Sequence, residues 1–289
     1  MEYQLHLFII TGIFIILSLS LNLILGYLGQ PALGHAAFFA IGAYSSSLLA
    51  LNLGVSPWIG LFIGASFAAI SGMVIGYLTF HLKEDYFAMA TFGFGLIIYS
   101  IIKNWVGVTR GPMGLPGIPQ FVAFNSLYSS LIFYCILILL FVLVTIVFMK
   151  RIIYSPFGRV IQSIRDDELA AEALGKDTRR VKIMIFMIGA FFAGIAGSLY
   201  AHYITFIDPS SFDVMESILV VLMVILGGMG TIGGSILGAA VLILFPEVLR
   251  FIGIPDAVAA PSRQMIYGFL LMMLVMKRPQ GLMGKYKLW

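Results

Sequence analysis

The chain has 289 residues and a mass of 31.7 kDa; 61% of its residues are hydrophobic and 10% are charged, 17 Lys and Arg against 13 Asp and Glu. Soluble domains carry about 25% charged residues, so this composition, a mean hydropathy of +1.04 and a single cysteine exclude a cytosolic enzyme, a disordered tail and a disulfide-rich secreted module. The remaining class is a polytopic membrane protein.

A crossing helix needs about 20 apolar residues, because each residue rises 1.5 Å through a hydrocarbon core about 30 Å thick. Such stretches fall at 6–25, 33–52, 57–80, 86–102, 126–149, 183–203, 213–229, 232–250 and 261–276. They predict an all-α transmembrane bundle of about nine spans, with eight to ten as the range, built as one transmembrane domain over residues 1–289. The apolar runs are continuous rather than alternating, which excludes a membrane β-barrel. Gly227-Gly228 and Pro261 interrupt the seventh and ninth spans. Met1–Gln4 holds no Lys or Arg and no A-x-A cleavage site follows, so the first span is read as retained and not as a signal peptide.

Between the first two spans lies GYLGQPALGH, Gly26–His35. It has two readings: a tight cytoplasmic turn, or a broken helix of the kind that lines transporter cavities. In the third span Gly60, Gly64, Ala68, Gly72 and Gly76 recur every fourth residue and share one helix face, the device by which membrane helices approach closely. The sixth span repeats it with Ala190/Gly194 and Ala193/Gly197, and the eighth with Gly234/Gly238. A second glycine-dense stretch, Gly227–Gly238, matches the first when Leu28–Ala36 is laid on Ile232–Ala240, suggesting an internal repeat.

Ser155–Lys182 is the long polar connection. Ser155-Pro156 starts a helix. Asp166 is expected to cap a second short helix from Asp167, along which Leu169, Ala170, Ala173 and Leu174 form an apolar stripe with Glu168 and Glu172 on the other side. Gly175 suits a left-handed C-terminal cap, and Asp177 or Thr178 caps the sixth span. This small, acidic, Ala-rich helix lacks the large apolar face and flanking cations of a membrane-surface helix. It fits a groove on a partner protein.

Placing 150–182 in the cytoplasm puts 13 of the 17 Lys and Arg on that side. This predicts an outside N-terminus and a cytoplasmic C-terminus. The net charge of +4 reflects that asymmetry, and nucleic-acid binding is not expected. His6, His35, His81 and His202 lack partners at metal-ligand spacing, Cys135 reads as packing, and no Walker loop is present. No metal, cofactor or catalytic group is therefore expected in this chain. Asp85, Asp208, Asp213 and Glu216 are placed at membrane edges, which argues against an ion-driven carrier.

Four stretches carry a resemblance: GYLGQPALGHAAFFAIGAY (Gly26–Tyr44); DYFAMATFGFG (Asp85–Gly95) with TRGPMGLPGIP (Thr109–Pro119); SPFGRVIQSIRDDELAAEALGKD (Ser155–Asp177); and ILGGMGTIGGSILGA (Ile225–Ala239). With FFAGIAGSLYA (Phe191–Ala201) they run in order along nearly the whole chain. The chain resembles the permease subunits of branched-chain amino acid ABC importers, of the LivM type. The resemblance implies a non-catalytic subunit of an ATP-driven importer in the bacterial inner membrane. Its implied partners are a sister permease, two cytoplasmic ATPase subunits that bind ATP and Mg, and a periplasmic binding protein. It places the ATPase-coupling element at Arg165, Asp166, Glu168, Ala171, Glu172 and Gly175. An uncharged path for a zwitterion with an apolar side chain would involve Gly29, Gln30, His35, Tyr44, Thr91 and Gly93. Two alternatives remain: a permease of the same family for urea, short-chain amides or other amino acids, and a stand-alone secondary carrier.

Overall fold

The computed structural model describes residues 2–82, 84–121, 131–250, 268 and 280–284, with the backbone alone for residues 84 and 246–250. These residues form eleven helices: α1 Glu2–Asn22, α2 His35–Leu53, α3 Pro57–Thr79, α4 Glu84–Asn104, α5 Val106–Thr109, α6 Leu131–Ile153, α7 Pro156–Asp166, α8 Glu168–Ala173, α9 Thr178–Ile204, α10 Val214–Gly227 and α11 Ile232–Arg250. Two short strands, β1 Leu115–Pro116 and β2 Phe206–Ile207, pair antiparallel. Seven helical segments are long and apolar enough to cross a membrane, and Ile232–Phe245 adds a shorter apolar one. The first eight expected spans each meet a helix. The ninth, 261–276, lies outside the described residues. The helix of the fifth expected span, α6, runs on past Lys150 and Arg151 to Ile153, because nothing breaks it before Ser155-Pro156.

Helix starts follow the capping chemistry. The Asp213 carboxylate accepts from the Glu216 N–H at 3.1 Å and opens α10. Asp177, not Thr178, caps α9, accepting from the Arg180 N–H at 3.0 Å.

The centre of the bundle is a close contact of α2, α3 and α9. The expected glycine stripe of α3 is buried along its length. A Cβ placed on Gly64 would stand 2.8 Å from the Gly42 carbonyl oxygen of α2, and one on Gly194 of α9 would stand 2.7 Å from the Ala68 Cβ of α3. Small residues on three helices therefore let the backbones touch, the packing that lipid rewards. α1 lies against α6, α9, α10 and α11, while α4 and α6 expose most of their length.

Gly26–His35 is a broken helix rather than a turn. The end of α1 relaxes into a π turn over Leu23–Tyr27, and Leu28–Gly34 runs as irregular chain before α2 begins. Ser20 sits beside Gly189 of α9, eleven residues beyond Thr178 and so about 16 Å along the bundle. His35 hydrogen-bonds that same Ser20, so α2 begins inside the bundle, away from the loop end. The proposed repeat does not extend to the backbone. Gly29 has φ +77° and Gly34 precedes α2, whereas Gly233 and Gly238 lie inside α11.

At the opposite end the loop after α4 is tied to α9. β1 pairs with β2, Ile118 N–H donates to the Thr205 carbonyl at 3.1 Å, and Phe121 N–H donates to the Tyr134 hydroxyl at 2.9 Å. The Tyr134 hydroxyl in turn donates to the His202 carbonyl at 3.0 Å, one of the carbonyls that the end of α9 leaves unpaired.

Candidate functional site: a broken helix and a two-helix loop

The site residues expected from sequence fall into three groups. The first surrounds a cavity of about 460 Å³ between the broken helix and the loop, lined in part by Gly29, Gln30, Asp85, Arg165, Asp166 and Glu168. Two path candidates and three coupling candidates thus share one space. Arg165 is the joint. Its Nη1 donates to the Gly26 carbonyl at 3.0 Å, and its Nε and Nη2 donate to Asp166 Oδ1 at 3.2 and 2.8 Å. A Cβ at Gly29 would run into the Arg165 side chain, so glycine there serves both the positive φ and the close approach.

The second group is the buried start of α2. Hydroxyls from two other helices hold it: Ala36 N–H donates to Ser217 Oγ of α10 at 3.0 Å, and Leu33 N–H donates to Thr91 Oγ1 of α4 at 3.1 Å. The Ser20 hydroxyl donates to the Leu17 carbonyl at 2.7 Å, which leaves its oxygen to accept from His35 Nε2 at 2.8 Å. His35 Nδ1 and the Tyr44 hydroxyl are buried without a hydrogen-bond partner among the described residues. Tyr44 stands apart, edge-on to Phe212 with ring centroids 5.6 Å apart. Gly93 faces open space, with nothing within 4 Å of a Cβ.

Glu216 sits in the first turn of α10. It precedes Ser217, which holds the start of α2, and lies eleven residues from the end of α10, again about 16 Å. Residues 208–213 return into the bundle as a short turn, with Phe212 packed against Phe39 and Tyr44, so α10 starts well inside. Asp208 stands at the head of that turn. Burial opposes its ionisation, but hydrogen bonds from Ser210 and Ser211 outweigh this and hold its carboxyl below the usual range.

The third group is the loop. Ser155 caps α7, accepting from the Gly158 N–H at 3.2 Å. The cap of α8 is Asp167, accepting from the Ala170 N–H at 2.9 Å, and not Asp166, which is engaged with Arg165. Gly175 has φ +77°; its N–H donates to the Glu172 carbonyl at 2.8 Å and the Lys176 N–H to the Ala171 carbonyl at 3.1 Å, the paired bonds of a Schellman end. The faces of α8 divide clearly. Ala171 is 2% exposed and packs into the chain itself rather than facing outward. Glu172 accepts from the Thr178 hydroxyl at 2.6 Å and Glu168 pairs with Lys182 at 2.6 Å, so both carboxylates turn towards α9. Leu169 and Leu174 are each 77% exposed, with Ala170 and Ala173 exposed beside them.

Sequence reasoning missed Ser217, Asn22 and Lys182. Asn22 accepts from the Gly230 N–H at 3.0 Å and donates to the Thr231 carbonyl at 2.9 Å, pinning the α10–α11 turn to α1. The available signal was a polar side chain inside an apolar run.

Fold and site define a multi-pass helical membrane protein with a broken helix inside the bundle and a helical loop joined to its end. A family model described as "Branched-chain amino acid transport system / permease component" matches residues 4–276. The chain is 34% identical to the high-affinity branched-chain amino acid transport system permease protein LivM of Escherichia coli (strain K12), over 95% of this chain and 68% of that one. It is 28% identical to a probable branched-chain amino acid transport permease protein LivM of Methanocaldococcus jannaschii, over 94% and 90%. It is 23% identical to the permease protein LivH of Salmonella typhimurium, over 93% and 91%. The chain belongs to the family of branched-chain amino acid transport system permease components.

Proposed function

We propose that the chain is the permease subunit of an ATP-driven importer for Leu, Ile, Val or related hydrophobic amino acids. It performs no catalysis itself; ATP and Mg bind in two separate ATPase subunits. A sister permease completes the membrane part, and a periplasmic binding protein delivers cargo. In this reading the membrane is the bacterial inner membrane. The α7–α8 end faces the cytoplasm, as the bias of Lys and Arg towards it supports.

The observation that carries the reading is the division of α8. Its inner face, Glu168, Ala171 and Glu172, fastens it to the permease, and its outer face, Leu169, Ala170, Ala173 and Leu174, has no cover. A short helix with one apolar face docks into a groove on a partner. Closure of the ATPase pair then moves α8. The adjoining α7 moves with it and pulls on the broken helix through Arg165 and Gly26. Cargo passes beside the buried start of α2, near His35 and Thr91.

Substituting Leu169→Glu together with Leu174→Glu tests this. Each buried leucine contributes about 1.5–3 kcal/mol, so ATPase subunits should no longer co-purify while the permease remains in the membrane. Full co-purification by the double variant would refute the docking face.

A further inference from the structure

Lys182 lies in the second turn of α9 and is 4% exposed. Its ammonium has two kinds of partner. Glu168 of α8 offers both carboxylate oxygens, at 2.6 and 2.7 Å, and the Phe80 carbonyl at the end of α3 accepts at 3.3 Å. One turn earlier on α9, Thr178 donates to Glu172 at 2.6 Å. Residues 168 and 172 of α8 thus meet 182 and 178 of α9 as two antiparallel rungs, with Ala171 buried between them. Phe80 is held a second time, since the Arg179 guanidinium stacks 4.3 Å from its ring centroid and 4.7 Å from that of Tyr77. Three elements therefore converge on one buried cation.

The Lys182 side chain is 5% exposed and that of Glu168 37%, and such a pair adds little net stability because desolvating the lysine offsets much of the attraction. The pair's distinctive property is geometry: a charged partner cannot slide without leaving the other charge unpaired. α8 has only six residues and no other charged contact of this kind among the described residues. A helix that short is not rigid on its own. Its alignment with α9 is imposed by the two rungs.

We propose that Lys182 is a positioning residue that makes α8, the start of α9 and the end of α3 one rigid body, so that displacement of α8 passes undamped into the helices of the central contact. The idea deepens the importer reading and rests on it for the source of the displacement. α9 carries the motion to α2 and α3 through the Gly194, Gly64 and Gly72 contacts.

Two measurements test the proposal. In a Cys135→Ser background, spin labels at Leu169 on α8 and Met184 on α9 report the distance between the helices in the full chain reconstituted in lipid. Wild type should give one narrow distribution. Lys182→Met should broaden it, and Lys182→Arg, or Lys182→Glu combined with Glu168→Lys, should restore it. An unchanged distribution in Lys182→Met overturns the clamp, whether or not ATPase subunits bind. In the full complex, Lys182→Met should lower cargo moved per ATP by about tenfold, the scale of losing hydrogen bonds to a charged group. The charge-swapped pair should recover it. Retained stoichiometry in Lys182→Met overturns the coupling role, as does a swapped pair that assembles but stays uncoupled. If wild type shows no cargo-stimulated ATP hydrolysis, the importer reading fails, and the label distances still decide the clamp.

Discussion

Gly72 and Gly93 offer a matched test of how the bundle is held. Both are interior glycines of apolar helices, so changing either to alanine removes the same backbone-entropy penalty, about 0.5–1 kcal/mol in favour of the variant. They differ in what the new methyl meets. At Gly72 it would stand 2.5 Å from the Ala190 Cβ and 2.9 Å from the Phe186 carbonyl oxygen; at Gly93 nothing lies within 4 Å. Carbon atoms rest about 3.5–4.0 Å apart, so α3 and α9 would have to separate by about 1 Å at Gly72. Overpacking of this kind costs about 1–3 kcal/mol. The entropy term cancels between the variants, and the difference in their stability is this clash alone. In a chain of this size it amounts to a gap on the order of 5 °C in unfolding temperature. Thermal unfolding in nanodiscs, followed by fluorescence, reads it directly. Gly72→Ala should unfold below wild type and Gly93→Ala at or above it. Equal unfolding temperatures for the two variants would refute the account of backbone contact, and normal stability with lost transport in Gly72→Ala would assign this face to the path.

Gly175→Val should distort the end of α8 at a cost of about 1–2 kcal/mol, since φ +77° opposes a β-branched residue while open space surrounds the site. Uptake should fall with the permease still in the membrane, and full uptake would contradict this. Tyr134→Phe removes the acceptor for the Phe121 N–H and the donor to the His202 carbonyl. A destabilisation of about 1–3 kcal/mol is expected, with faster hydrogen exchange at Phe121, and unchanged exchange would show that the ribbon end holds without it. With Cys135→Ser as background, a cysteine at Met113, which is 81% exposed, should react with an impermeant reagent on intact cells. One at exposed Ser163 should react only after permeabilisation, and the reverse pattern would invert the orientation.

The spans and the α3 stripe were legible because lipid imposes simple rules: a minimum apolar length, and small residues where helices touch. Gly175 was legible because a left-handed cap requires it. The orientation of α8 was not. The resemblance placed Glu168 and Glu172 in the ATPase-coupling element, but their partners, Lys182 and Thr178, arrive from a helix whose position depends on the whole bundle. Asp167 displaced Asp166 as the cap for a similar reason, since Arg165 draws Asp166 away. The broken helix was only half legible. Its glycines announced an irregular backbone, but the depth of the break depends on where Ser20, Thr91 and Ser217 meet it.

The central claim is that this permease moves cargo only when separate ATPase subunits drive it. Uptake of labelled leucine into proteoliposomes, measured with the full set of subunits and again with the chain alone, tests it most directly. The account predicts uptake that requires the ATPase subunits, ATP inside the vesicles and the binding protein outside, and none from the chain alone. Leucine accumulation by the lone chain in ATP-free vesicles would contradict it.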